Sequence, residues 1–230
     1  MDESGKFQNL EDYGSWIAGQ QWYQTITLES GLVTPGTVKT DLRAPKLSSL
    51  DYRGKSVLDV GCNSGQYCLM AKKLGAHRVV GIDPDSFRIN QARVLAINEG
   101  LEIDFRVGTL ESLVSLGKFD IVFCIAVLTE VTDVLGSLSL LRRVTGDYSF
   151  IELGLSRPVL HLSLNSRWWR RETGISRVSR SLDVIRHKHV GWVVYPTLEL
   201  VKDIWGTDFC VSHLGRGVRY DMLEIRRVPS

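Results

Sequence analysis

The residues best suited to chemistry stand in one run, Asp59-Val60-Gly61-Cys62-Asn63-Ser64-Gly65. Its glycines allow a sharp turn and a close approach of backbone to a ligand. A helix that follows such a turn offers its first N–H groups to polar or anionic atoms. The two glycines are four apart, which is not the G-x-G-x-x-G spacing of a dinucleotide fingerprint. An acid at Asp59, ahead of the first glycine, would repel a pyrophosphate. It suits a ligand that carries an amino group and a sulfonium cation. Asp83 is the second acid of interest. It closes the apolar stretch Val79-Val80-Gly81-Ile82 and precedes Pro84, so it reads as a ligand contact or as a helix N-cap.

These residues need a scaffold, and the pattern from Ser56 onward supplies one. Val57–Val60 reads as a short apolar strand, and Gln66–Leu74 as a helix stopped by Gly75. Arg78–Ile82 is the next strand. Asp83-Pro84 opens a helix with Ile89, Ala92 and Ala96 at helical spacing, ended by Gly100. Leu101–Val107 and the almost wholly apolar Phe119–Ile125 read as strands, the second as the middle of a parallel sheet. Val131, Val134, Leu135, Leu138 and Leu141 form a helical stripe, and Tyr148–Leu153 is a further strand. Such alternation predicts an α/β fold with a doubly wound, mostly parallel sheet. The ligand crevice of such a sheet lies outside the carboxyl ends of its strands.

Two strand-like segments near the end, Asp208–His213 and Tyr220–Val228, flank Gly215 and Gly217 and predict an antiparallel hairpin. Ahead of the regular part, a helical stretch around Trp16–Tyr23 leads into the turn Thr34-Pro35-Gly36. Residues 1–50 are therefore read as an N-terminal helical lid and 51–230 as the α/β domain. The rhythm breaks after Leu155. Residues 157–188 hold eight Arg or Lys against two acids, with Trp168-Trp169 among them. We read about 157–190 as a basic insertion or cap.

Composition narrows the functional classes. The 230 residues are 43% hydrophobic and 23% charged, with a formal charge of only +2. That is ordinary globular composition, and it makes no global electrostatic case for nucleic acid. The cysteines Cys62, Cys68, Cys124 and Cys210 form no CxxC and no zinc pattern, so no metal is expected. Buried reduced thiols and a cytoplasmic setting fit this usage. The N-terminus lacks the pattern of a secretory signal. The longest apolar run, Ile121–Leu128, is far short of the ~18 residues a membrane span needs, so no membrane partner is expected.

At the level of motifs, Val57–Gly65 resembles the glycine-rich first motif of the class I S-adenosylmethionine (SAM)-dependent methyltransferases, with Asn63 where many members have Gly. Val79–Asp83 resembles their second motif, whose acid binds the ribose hydroxyls. Phe119–Cys124 resembles their fourth strand. The likeness spans about residues 55–155. It implies SAM as cofactor and a Rossmann-like, seven-stranded, mostly parallel sheet with a C-terminal antiparallel hairpin. It also implies donor contacts from Asp59, Gly61, Asn63, Gly65, Asp83 and Cys124. Thr109 and Glu111 follow the third strand, near where the family contacts adenine; helix capping explains them equally well.

A narrower likeness involves Trp22, Leu28, Gly31, Thr34-Pro35-Gly36 and Lys39, then Val127-Leu128 and Val193–Thr197. These resemble the family similar to tRNA wobble-uridine carboxymethyltransferase, in which Lys39 would correspond to a donor-contacting lysine. Thr129 and Glu130 stand where that family has Tyr-His, and its Tyr helps hold the extra carboxylate of carboxy-SAM. Plain SAM is the expected donor here.

Transfer to a hydroxyl usually needs a base within hydrogen-bond reach. Glu130, after the fourth strand, and His161, after the fifth, are the candidates, with His187 and His189 behind them. Glu130 is equally explained as a solvated acid at a helix start. Trp168, Trp169 and Arg170 could grip the acceptor by stacking and by pairing with phosphate or carboxylate; a partly buried helix with a solvated basic face explains them too. The leading expectation is O-methylation of a small molecule or glycan, anionic ones included. A tRNA wobble-uridine methyltransferase and a non-catalytic SAM-binding module are the alternatives.

Overall fold

The computed structural model describes residues 1–3, 5–38, 42–155, 182–187, 191–216 and 220–229, with the backbone alone at 182–187, 191–195 and 216. Contacts divide the chain into two compact units, 1–112 with 119–121, and 113–118 with 122–230.

The first unit opens with α1 (Leu10–Ala18), capped by the Asn9 side chain, which accepts from the Asp12 N–H. The helix ends at Gly19, short of the Tyr23 end expected from sequence. Trp22 therefore lies beyond it, buried, its indole N–H donating to the Ile17 carbonyl at 2.7 Å. Past this point the chain folds on itself through two bridges, Gln24 with Val38 and Thr27 with Val33. Thr34 holds this segment together from a fully buried position. Its hydroxyl accepts from Ile26 N–H and donates to Gln24 C=O, each at 2.7 Å. A Thr34→Val change keeps the shape and strands the Ile26 donor. We expect it to cost about 2 kcal/mol in urea unfolding, and a loss below measurement error would contradict this account.

After α2 (Ala44–Ser48), β1 (Ser56–Val60) is buried at every residue, as a strand covered on both faces must be. It pairs in parallel with β2 (Arg78–Asp83), Ser56 opposite Arg78 and Val60 opposite Ile82. β2 pairs in parallel with β3 (Asp104–Val107), from Val80 opposite Asp104 to Asp83 opposite Val107. Helices α3 (Gln66–Lys73) and α4 (Ser86–Asn98) connect these strands. Sequence places the α4 cap at Asp83. The cap is instead Asp85, whose side chain accepts from Phe87 N–H, so Pro84 lies ahead of the helix and Asp83 is released from capping.

β4 (Phe119–Cys124) begins in the first unit and ends in the second. In the second unit, α5 (Val134–Val144) is capped by Asp133 and buries Val134, Leu138 and Leu141 of the expected stripe, while Leu135 is half-buried and Val131 lies ahead of the helix. β5 (Thr145–Leu153) follows it directly. β6 (Leu182–His187) and β7 (Gly191–Pro196) form a separate antiparallel pair inside and beyond the segment read as a basic cap. α6 (Leu198–Trp205) is capped by Thr197. β8 (Phe209–Arg216) and β9 (Asp221–Arg227) form the expected hairpin, with an irregularity between His213 and Gly215. β9 also pairs antiparallel with β5, Tyr148 opposite Arg226 and Leu153 opposite Asp221. The strand order of the seven-stranded sheet is β3-β2-β1-β4-β5-β9-β8, a Rossmann-like mixed sheet with its antiparallel strands at the C-terminal edge.

All four cysteines are free thiols; Cys62, Cys68 and Cys124 are buried and Cys210 is exposed. No described helix is long and apolar enough to cross a membrane. Among the described residues, no group of three or more His, Cys, Asp or Glu is placed to hold a metal ion.

Candidate cofactor site

The turn after β1 is held to β2 by its backbone. Gly61 N–H and Cys62 N–H both donate to the Ile82 carbonyl, at 2.8 and 3.0 Å. Asn63 adopts a left-handed conformation, φ 51°, which glycine takes up most readily. Asn tolerates this region because its short side chain can bond locally. Here the Asn63 Oδ1 accepts from Ser64 N–H at 2.9 Å. We expect Asn63→Ala to lose about 1 kcal/mol of stability through backbone strain and Asn63→Gly to lose less. Thermal melts of both variants check the order, and the reverse order would remove this explanation.

Gly65 starts α3 at φ +85°, and a Cβ there would lie 2.7 Å from the Phe105 ring. Gly81 is equally tight, its added Cβ meeting Phe105 at 2.7 Å and the Cys68 sulfur at 2.8 Å. Phe105 on β3 thus sets how close turn, helix and β2 can come. Sequence reasoning missed it, because an apolar strand residue carries no mark of its partners.

Asp83 is the clamp of the turn. One carboxylate oxygen accepts from Asn63 N–H at 2.8 Å, the other from Asp85 N–H at 2.9 Å. Burial raises its pKa, and the two backbone N–H groups oppose that rise. Asp59 is 1% exposed. Its hydrogen-bond partner among the described residues is the Cys68 thiol, 3.6 Å away. Burial pushes its carboxyl up to about 7; the thiol bond works against this, and the negative charge of Asp83 adds to it.

Other side chains of the first unit seat the turn. Ser64 Oγ donates to Gln91 Oε1 at 2.9 Å. Gln91 Nε2 and Arg88 donate to the Gln21 carbonyl at 3.0 and 2.5 Å. Gln24 Oε1 accepts from Gln66 N–H, the first of α3, at 3.4 Å. Gln91 carried a sequence signal as a polar residue on a helix face of buried positions; Gln24 carried none. Gly108 N–H donates to the Asp83 carbonyl, tying the end of β3 to the clamp. Beyond it, exposed Thr109 donates its hydroxyl to Glu111.

The structure therefore brings Asp59, Gly61, Asn63, Gly65 and Asp83 into one turn, with Thr109 on the neighbouring connection. Cys124 and Glu130 belong to the second unit. Cys124 is buried at the end of β4. Two residues on, Ala126 has φ 58°, a strained conformation that sequence reasoning missed. Glu130 is exposed, its N–H donating to the Val127 carbonyl at 2.9 Å. Lys39, His161, Trp168, Trp169, Arg170 and His189 lie outside the described residues, and His187 is described by its backbone alone.

A buried acid facing neutrality with a thiol for partner, beside a second acid that already braces the turn, fits a ligand bearing positive charge and hydroxyls. SAM is such a ligand, and these residues fit it.

Comparison with known proteins agrees. Residues 57–146 match the family described as methyltransferase domain. A ubiquinone biosynthesis O-methyltransferase of Rhodopseudomonas palustris (strain HaA2) is 38% identical over 111 residues, 47% of this chain and 43% of that protein. One of the same name from Chelativorans sp. (strain BNC1) is 39% identical over 84 residues, 36% of this chain and 33% of that protein. The chain thus matches less than half the length of these relatives. They are named for ubiquinone O-methylation rather than wobble-uridine modification.

Among solved structures, the N-terminal domain of EvdMO1 with SAH bound superposes with a TM-score of 0.71 at 15% identity, over 99% of this chain and 100% of that one. Magnesium protoporphyrin IX methyltransferase (ChlM) from Synechocystis PCC 6803 with bound SAM does so at 0.51 and 18% identity, over 77% and 72%. Residues 57–146 are thus similar to a methyltransferase domain, and the chain shares the fold of these SAH- and SAM-bound structures.

Proposed function

We propose that the protein methylates an oxygen of a small-molecule acceptor, using SAM as donor. The observation that carries the donor half is the pairing of buried Asp59 with the Asp83 clamp around one glycine turn. The relatives named as O-methyltransferases support oxygen as the acceptor atom. When bound, SAM supplies an electrophilic methyl group whose transfer discharges its sulfonium, so the protein's task is alignment and charge.

In this reading Asp83 holds the ribose hydroxyls while keeping its two backbone N–H bonds. Asp59 sets a negative charge beneath the cationic part of the donor. Gly61, Asn63 and Gly65 bring backbone N–H groups close. Residues 1–50 serve as a lid on the donor side, a role supported by the bonds Gln24 and Gln21 accept from α3 and α4. Holding donor and acceptor in line can supply about 7–11 kcal/mol of the barrier. Glu130 takes the acceptor proton, with His161 as the second candidate.

The test is transfer of labelled methyl from SAM into three separate fractions: small molecules, glycans and deproteinised tRNA. Label in a small molecule, as a base-stable methyl ether of the added mass of one CH2, is the expected result. Label confined to nuclease-sensitive tRNA would overturn the acceptor assignment, and failure to bind SAH would overturn the donor assignment.

A further inference from the structure

The second unit contains a cavity of about 370 Å³ that the methyl-transfer reading does not use. It is lined by Lys118, Arg142, Arg143, Asp208, Phe209 and Arg227. Lys118 immediately precedes β4, so the cavity stands at that strand's amino end. Ligands of open α/β sheets occupy the carboxyl ends. Four cationic side chains meet there against one carboxylate.

How these cations are held matters more than their number. Arg142 donates its Nε to the Trp205 carbonyl at 2.9 Å. Arg227 donates its Nε to the Gly146 carbonyl at 2.5 Å and lays its guanidinium over the Phe209 ring, 4.6 Å from its centre. Each arginine is thus fixed through Nε while its two terminal nitrogens stay outside those bonds. That fork is the geometry that takes a phosphate or carboxylate in two parallel hydrogen bonds. The sole acid, Asp208, reaches Arg142 at only 3.9 Å, with its own side chain 65% exposed. Lys118 and Arg143 are exposed and make no ion pair among the described residues.

Basic residues in the last turn of a helix commonly answer the helix dipole. That accounts for Arg142 and Arg143 at the end of α5. It does not account for Lys118 and Arg227, which come from other elements, nor for the cavity. A space of this size is at the small end of ligand pockets, which run roughly 300–1,000 Å³. It admits a small molecule and is too small for a folded partner.

We propose that this cavity binds a small phosphorylated ligand carrying at least two negative charges, at a site separate from the glycine turn.

Pyrophosphate is the probe. Calorimetric titration of the full chain at low ionic strength should show saturable binding with one site per chain, weakening as salt rises. The variant Lys118→Gln/Arg143→Gln changes two exposed side chains and leaves the anchored arginines alone. It should bind pyrophosphate at least tenfold more weakly, yet bind SAH as the parent does. Equal pyrophosphate affinity in parent and variant would overturn the proposal, as would the absence of saturable binding to the parent. Parallel titrations with tRNA and with anionic phospholipid vesicles distinguish the source of phosphate. If either binds through Lys118 and Arg143 while pyrophosphate does not, a small-ligand site is refuted. Because SAH binding is read separately, failure here leaves the methyltransferase reading untouched, and failure there leaves this one.

Discussion

Replacing Asp83 by Ala should weaken SAH binding at least 100-fold, about 2.8 kcal/mol. The carboxylate does two jobs in the proposed complex. It would meet the ribose hydroxyls, and it already receives the N–H groups of Asn63 and Asp85. Hydrogen bonds to a charged group contribute about 1.5–3 kcal/mol each. Alanine removes both acceptors, so the turn keeps its backbone bonds to Ile82 but loses the side-chain tie through Asn63, along with the proposed ligand contact. Asp83→Asn keeps the shape and one acceptor oxygen, and its loss should fall between the two. Calorimetric titration of SAH measures this, beside circular dichroism to show that the fold survives. An alanine variant within threefold of the parent would mean that Asp83 braces the turn without touching the donor.

The second large effect is on stability against pH. The Asp59 carboxyl is raised from 3.8 to about 7 in the folded chain. Between those values the folded state holds a proton that the unfolded state has released. Stability must therefore fall as pH rises through that window, and level off above it. A shift of about three units corresponds to about 4 kcal/mol at most, at 1.36 kcal/mol per unit. Asp59→Asn mimics the protonated form and has no charge to bury. Urea unfolding of the ligand-free protein at pH 5, 6, 7 and 8 should show the variant gaining on the parent with each step. Parallel lines across the range would show that Asp59 titrates normally.

The glycine turn was legible in the sequence because its demands are local. A left-handed backbone at Gly61 and Gly65, an acid before the first and an acid ending the next strand are constraints that few residue types meet. The alternation of strands and helices was legible for the same reason, since burial on both faces leaves β1 and β4 mainly apolar, with Asp59 and Asp120 the charged exceptions. Boundaries were less so. Two aspartates flank Pro84, and either could cap α4; only Asp85 lies close enough to the first free N–H groups once β2 has ended. The helix read through Trp22 stops at Gly19, because the indole finds a carbonyl to bond in the preceding turn. What could not be read was contact at long range. Phe105 fits against Gly65 and Gly81, and Gln24 reaches the start of α3 from 42 positions away. The cationic cavity is of the same kind, for its residues come from four separate stretches of chain.

The distribution of thiols has a practical corollary. Cys210 is exposed on β8, while Cys62, Cys68 and Cys124 are enclosed. A maleimide reagent applied to the native protein should therefore modify one position, without mutagenesis. Cys210 alternates with buried Phe209 and Val211 along the strand, so a dye attached there points away from the side on which they pack. Once Cys210 is blocked, the slower reaction of the remaining thiols becomes a clock. Two of them, Cys62 and Cys68, sit in or against the glycine turn, so their rate counts how often that turn opens, and under the proposed function added SAH should slow it.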